Sequence, residues 1–236
     1  MEILGRPGAY ADQLARTARA KRVGAYVACA GSALGLVAGW CSAHLTWWLV
    51  ALAAGVWLWA TASVGDLRRR EASAAIGAAK EREVACLLLD HLEGMAMFGL
   101  QLGRARGSSE DVDCLVCLAS GGFFVLEIKT GFGRVSVLQD GAVRAGQRVL
   151  PGDPVAQARR ARADADRLLR SASCEAMVVI SDGCGAPVWS NGVLVCAPHD
   201  AVARMRGSGT PTEGEVAALG RARSVARRQR KRVTGR

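Results

Sequence analysis

From Val23 to Val64 the chain contains no Asp, Glu, Lys or Arg, an uncharged run of 42 residues. A helix crosses the hydrocarbon core of a bilayer in about 20 residues, so the run is long enough to cross twice. Its apolar character dips once, at Ser42-Ala43-His44-Leu45-Thr46, which predicts two spans, about 23–41 and 46–64, joined by a tight hairpin. Five of the six tryptophans lie in the run, and Trp40, Trp47 and Trp48 flank its turn, where amphipathic rings favour the lipid–water boundary. The alternative is one long buried helix of a soluble protein. It is disfavoured because a 24.8 kDa fold has little interior in which to cover 42 uncharged residues.

Positive charge predicts the orientation. Arg16, Arg19, Lys21 and Arg22 precede the first span, Arg68, Arg69 and Arg70 follow the second, and the turn between carries neither Lys nor Arg. Positive segments stay on the cytoplasmic side, so both termini are expected in the cytoplasm of a two-pass inner-membrane protein. A cleaved signal peptide fits poorly, because the apolar run is too long and begins too late. Gly24, Gly31, Gly35 and Gly39 on the first span would allow close helix packing, and hence a homo-oligomer through the hairpin.

The eight cysteines suit a reducing compartment. They are scattered through apolar runs, where a free Cys behaves as a small hydrophobe. Cys114 and Cys117 form a C-x-x-C, but no second pair stands at zinc-ligand spacing, and on a strand two positions three apart face opposite sides. No phosphate-binding glycine loop is present, so no ATP-driven engine is implied. The net charge is +10, and residues 221–236 hold seven Arg and one Lys. Such a run suits nucleic acid or an anionic membrane surface, and a solvated tail equally well.

The pattern divides the chain into a basic cytoplasmic segment 1–22, a hairpin 23–64, an α/β domain 71–206 and a basic C-terminal helix or tail 207–236. Within the domain the spacing predicts a helix over 71–93 and apolar strands near 94–101, 111–118, 122–130, 133–139 and 142–150. A helix over 154–171, strands at 175–181 and 193–197, and helices near 198–206 and 212–230 complete it. That order suits a central mixed sheet with helices outside.

The chemistry concentrates in Gly122-Phe123-Phe124-Val125-Leu126-Glu127-Ile128-Lys129-Thr130. Five consecutive apolar residues read as a strand buried on both faces, and Glu127 and Lys129 then point to one side. If residues 119–121 form the turn to the preceding strand, Asp113 falls directly opposite Glu127. Two carboxylates so close repel unless a cation lies between them, and Mg²⁺ prefers such hard oxygen ligands. Glu81 is a third acid, centred on the apolar face of its helix with Val84, Ala85, Leu88 and Leu92, whereas Glu83 falls on the solvent side. An acid on a buried face is costly unless paired or metal-bound, although a Glu in the first turns of a helix can also snorkel to water.

Taken in order, these residues resemble the nuclease-related domain (NERD) family of the PD-(D/E)xK, restriction-endonuclease-like superfamily. The resemblance covers about residues 73–205. Gly77-Ala78-Ala79-Lys80-Glu81-Arg82 is similar to the family's opening Gly-x-x-Gly-Glu-Arg, with Lys80 at the second Gly. Asp111-Val112-Asp113-Cys114-Leu115-Val116 is similar to its Ile-Asp-His strand, with Cys114 in place of His. Gly121 to Lys129 resembles its Gly-Val-(Phe/Tyr)-Val-(Ile/Leu)-(Glu/Asp)-x-Lys, continued by Gly131-Phe132-Gly133-Arg134-Val135, and Pro154-Val155-Ala156-Gln157 its later Pro-x-x-Gln.

The resemblance implies a restriction-endonuclease-like fold and hydrolysis of DNA phosphodiesters with Mg²⁺ or Mn²⁺. Asp113, Glu127 and the main-chain carbonyl of Ile128 would bind the metal. Lys129 would position or deprotonate the attacking water, Glu81 would orient Lys129 or complete a second metal site, and Gln157 would contact metal-bound water or the scissile phosphate. Arg159 and Arg160 on the later helix, with Arg227, Arg228, Arg230, Lys231 and Arg232, are candidates for the phosphate backbone. The competing expectations are a Glu127–Lys129 ion pair without catalysis, in a membrane-tethered nucleic-acid-binding or assembly protein, and a small membrane interaction protein in which the hairpin matters most.

Overall fold

The structure, a computed structural model, describes the chain apart from residues 5–6, 8, 42–46, 102–110, 171, 208–212 and 235–236. It also leaves aside the side chains of 9–11, 13–14, 36–41, 47–50, 101, 111, 213, 216, 226 and 229–234. The elements are β1 (Glu2–Leu4), α1 (Ala9–Cys41), α2 (Trp47–His91), β2 (Gly94–Gln101), β3 (Asp111–Leu118), β4 (Phe123–Val137), β5 (Val143–Ala145) and β6 (Arg148–Val149). They continue with α3 (Pro154–Leu169), β7 (Cys174–Cys184), β8 (Val188–Ser190), β9 (Val193–Cys196), α4 (Pro198–Arg206) and α5 (Glu213–Thr234). Two compact units form, one of residues 10–76 and one of residues 1–9 with 77–236.

The larger unit is α/β. A nine-stranded mixed sheet runs β1-β2-β3-β4-β7-β9-β8, with β5 and β6 continuing from β4. The pairs β1–β2, β4–β7 and β7–β9 are parallel, and the remaining pairs antiparallel. Strand alternation sends side chains to two cores. On one face Cys114, Val116, Phe124 and Leu126 pack under Val84, Ala85 and Leu88 of α2 and under α4. On the other, Leu115, Cys117, Phe123 and Val125 pack under Ala165 and Leu169 of α3 and Ala218 and Ala222 of α5. A third cluster joins Val155 and Ala158 of α3 to Val178 and Ile180 of β7. Cys114 and Cys117 thus lie in different cores, as period-two alternation requires.

The smaller unit consists of α1 residues 10–41 and α2 residues 47–76. Glu71 of α2 takes Arg19 and Arg22 of α1 at 3.0 and 2.7 Å, and Arg68 caps the Tyr26 ring at 6.0 Å. Above this charged clasp large apolar side chains face outward, among them Leu34, Leu52, Leu58 and Trp59. A Cβ at Gly24, Gly31 or Gly35 would touch nothing within 4 Å. Among the described residues no helix is long and apolar enough to cross a membrane. The expected turn at 42–46, and with it Gly39 and the side chains of Trp40, Trp47 and Trp48, lies outside the described residues.

Several boundaries differ from the sequence expectation for identifiable reasons. The helix expected over 71–93 merges with the second expected span into α2, because Asp66 to Ala72 contains no breaker and Asp66 pairs with Arg70 at i,i+4. The expected lead 1–22 is instead an edge strand and the start of α1, and the basic C-terminal segment is a helix whose Ala218 and Ala222 are core. Gly131 does not end a strand. It lies within β4, because a Cβ there would meet Ile180 at 2.7 Å and Ala145 at 2.8 Å, so close backbone packing rather than turning explains the glycine. β8 was not expected, although Asn191-Gly192 supplies the two-residue turn, with φ of 50° and 75°, that pairs Ser190 with Val193.

Glycines give a direct test of this packing. Gly94 has φ of +142°, and a Cβ would lie 2.2 Å from the Cys117 carbonyl oxygen, whereas Gly77 in α2 has open space. Gly94→Ala is expected to lower unfolding stability by at least about 2 kcal/mol. Gly77→Ala is expected to raise it by about 0.5–1 kcal/mol, both read by urea denaturation.

Candidate active site

The site forms where two strands part. β3 and β4 pair from Cys117↔Phe123 to Cys114↔Leu126, and the turn at 119–121 closes with Gly121 N–H donating to Leu118 O and Leu118 N–H to Gly122 O. Gly121 and Gly122 both take positive φ, 96° and 88°, which this tight connection requires. The register is the one the sequence implies, and continued by one residue it sets Asp113 against Glu127. The ladder, however, stops short of that pair. At this point Asp113 Oδ2 accepts the Ile128 N–H at 2.8 Å, so a carboxylate takes the place of the next strand partner. Gly99 of β2, with φ of +62°, lies between the pairs Phe98↔Cys114 and Leu100↔Val112, opposite Asp113.

Glu127 and Lys129 leave β4 on the α3 face. Their partners on β7 are Val178 and Ile180, which lie in the core beneath Val155 and Ala158. Glu127 is buried, and its Oε1 sits 2.6 Å from Lys129 Nζ. Asp113 is pushed up from 3.8 to about 8, first by burial and then by the Glu127 carboxylate. The Ile128 N–H and Lys129 act in the opposite direction, and Glu81 adds to the upward push. Glu81 therefore lies within electrostatic reach of Asp113, although Val84, Ala85 and Leu88 of the same helix belong to the opposite core.

Gln157 stands in the first turns of α3, which begins with Pro154 and is capped by Asp153 accepting the Ala156 N–H. Its neighbours Val155 and Ala158 pack on Val178 and Ile180, so its helix covers the face from which Glu127 and Lys129 project. Gln157 Oε1 is buried without a hydrogen-bond partner. The donor set fits a hard divalent cation: two carboxylates on parting strands, one of them with its pKa raised by burial and then by the other, and an acceptor oxygen with its hydrogen-bonding capacity unused. Among the described residues no three His, Cys, Asp or Glu side chains gather as a metal cluster on their own, so Glu81 is not drawn in as a third side-chain ligand.

Lys80, which departs from the resembled motif, has a structural task. Its Nζ binds Asp182 Oδ1 of β7 at 2.7 Å and Glu83 at 2.8 Å, tying α2 to the sheet beside Glu81. Asp182 carried no sequence signal, since it follows an ordinary apolar strand. Cys114, at the position of the resembled His, is buried under α2, and burial holds its thiol well above its usual range, so it is no thiolate ligand. Arg159 and Arg160 are exposed on α3. Arg227 and Arg228 line a groove on α5 with Gly220, Arg223 and Ser224, while the side chains of Arg230, Lys231 and Arg232 lie outside the described residues. In comparisons with protein-family models, curated proteins and solved structures, nothing matches this chain.

The pH dependence follows from Asp113. Between about pH 4 and 8 the unfolded chain has lost a proton that the folded chain keeps, so stability is greatest below this window and falls as pH rises through it. Asp113→Asn retains an acceptor for the Ile128 N–H without the charge. At pH 8 it should exceed the parent in stability by several kcal/mol, and at pH 4 the two should converge. Mg²⁺ at pH 8 should raise the parent's thermal midpoint and leave the variant's unmoved. Equal stability of the two proteins at both pH values would remove the electrostatic account of the site.

Proposed function

We propose that this chain is a metal-dependent DNA endonuclease of the nuclease-related domain kind, anchored in the inner membrane with its α/β unit in the cytoplasm. The observation that carries the reading is the convergence of Asp113, Glu127 and Lys129 where the β3–β4 ladder opens, with Asp113 destabilised as an anion. Mg²⁺ or Mn²⁺ held by Asp113, Glu127 and the Ile128 carbonyl would polarise the scissile phosphate and lower the pKa of water. Neutralised in this way, Glu127 would release Lys129, whose ammonium would hold the attacking water and offset negative charge developing on the phosphate. Gln157 Oε1 would accept a hydrogen bond from water at the same face, and Glu81 would bias the orientation of Lys129.

The membrane reading rests on connectivity as well as composition. β1 pairs with β2, so the segment before residue 10 and the segment after residue 76 belong to one unit. A membrane segment between them must cross an even number of times, in agreement with the two-pass, positive-inside expectation. The outward Leu34, Leu52, Leu58 and Trp59 suit lipid, or a second copy packed against the glycines of α1.

A second reading is favoured by one contact. The Glu127–Lys129 pair, at 2.6 Å with a Glu127 side chain only 8% exposed, is also what a catalytically silent nucleic-acid-binding domain would keep. Plasmid nicking by the full chain in mild detergent separates the two. The nuclease reading expects Mg²⁺-dependent nicking that falls by about 10²–10³ in Lys129→Ala and is lost in Asp113→Ala. DNA binding without cleavage in either metal supports the silent reading instead.

A further inference from the structure

β4 continues eight residues past Lys129, and its distal half pairs with β5, which in turn pairs with β6, forming a three-stranded ribbon. One face of this ribbon is core. Val135, Val143 and Ala145 are buried there with Leu150, and Gly131 turns the same way. On the other face Phe132 is 82% exposed and Arg134 is exposed beside it. Arg144, the cross-strand partner of Ser136, follows on that face, with a buried Nε that has no hydrogen-bond partner.

An aromatic ring left in water adds little to a fold, yet the backbone that carries this one is closely confined. A Cβ at Gly131 would meet Ile180 and Ala145 below 3 Å, and one at Gly146 would lie 2.7 Å from the Phe132 carbonyl oxygen. At Gly133, with φ of +92°, a Cβ would lie 3.2 Å from the Gly146 backbone. The backbone of Gly131-Phe132-Gly133 is therefore confined by the Ile180 and Ala145 side chains on one side and by the Gly146 backbone on the other, next to a register shift in the β4–β7 ladder. Its neighbour across the β4–β7 ladder, Asp182, is neutralised by Lys80 at 2.7 Å. Arg134 follows two residues along the same face, Arg144 lies across the ladder from Ser136, and the acid opposite Phe132 is already paired.

We propose that Phe132 is a stacking platform for an unpaired base, with Arg134 and Arg144 on the adjoining phosphates, on the sheet face opposite Glu127 and Lys129, so that the chain binds single-stranded or frayed DNA. The inference rests on the nucleic-acid reading of the neighbouring Asp113–Glu127–Lys129 site. Aromatic rings alternating with basic side chains bind single strands, because every base offers a π-face and the backbone runs past the charges. In a duplex those faces are already covered by neighbouring bases, so a single exposed ring discriminates by strandedness rather than by sequence.

The test uses the full chain in mild detergent with EDTA, and the fluorescence anisotropy of labelled oligo(dT) and of a blunt duplex of equal length. The parent should bind oligo(dT) more tightly. Phe132→Ala should weaken oligo(dT) binding by about tenfold, shift duplex binding by less than about twofold, and leave the urea midpoint in place. Phe132→Trp should restore oligo(dT) binding and Phe132→Leu should not. Unchanged oligo(dT) affinity in Phe132→Ala, equal loss on both DNAs, or rescue by Leu would each overturn the assignment. Binding in EDTA is independent of cleavage, so a chain that binds but never cuts sinks the nuclease reading alone. A chain that nicks plasmid while Phe132→Ala binds oligo(dT) as the parent does sinks this inference alone.

Discussion

The structure depends on a backbone hydrogen bond that is not made between strands. At Cys114↔Leu126 the β3–β4 ladder ends, and the next amide, Ile128 N–H, is taken by the Asp113 carboxylate. An unpaired amide in a sheet interior is costly, so the exchange fixes Asp113 in place. The same contact holds it within electrostatic reach of Glu127. The strain appears as a proton that Asp113 retains well above its ordinary range. The Lys129–Glu127 contact partly relieves it, and a divalent cation would relieve it more fully.

Much of this was legible in the sequence, because hairpin register is set by the turn and the apolar pattern. Ser120-Gly121-Gly122 between two apolar runs was enough to place Asp113 next to Glu127. What the sequence did not convey was the end of the ladder at Cys114↔Leu126, where the Asp113 carboxylate takes the Ile128 N–H, and the ion pair that Lys129 makes with Glu127. Glu81 illustrates the limit of a helical wheel. The wheel centres it with Val84, Ala85 and Leu88, yet it is only half-buried beside their core, and its charge acts on Asp113 from a helix packed on the far face of the sheet. Lys80 and Asp182 join residues 102 apart in sequence, a separation over which no local pattern operates.

The division into units also has a physical logic. A three-residue strand, Glu2–Leu4, belongs to the sheet although 67 residues of another unit separate it from the rest. Its parallel pairing with β2, and the contact of Glu2 with Arg223 of α5 at 3.0 Å, hold the N-terminus against the α/β unit. Residues 10–76 are thereby an insertion whose two ends both connect to the α/β unit. α5 contributes to the same unit through Ala218 and Ala222 and through Arg221, which donates to the Leu169 carbonyl at the end of α3. Its arginines are therefore carried on a packed helix.

The central claim is that Asp113 and Glu127 form a cation site for which Lys129 is the resident substitute. The most direct measurement is titration of the full chain with Mn²⁺ at pH 8, followed by the loss of the free-ion electron paramagnetic resonance signal. The account predicts saturable uptake that Asp113→Asn and Glu127→Gln each abolish. It also predicts tighter uptake in Lys129→Met, because the competing ammonium is gone. Uptake indifferent to Asp113 and Glu127, or weakened by Lys129→Met, would contradict it.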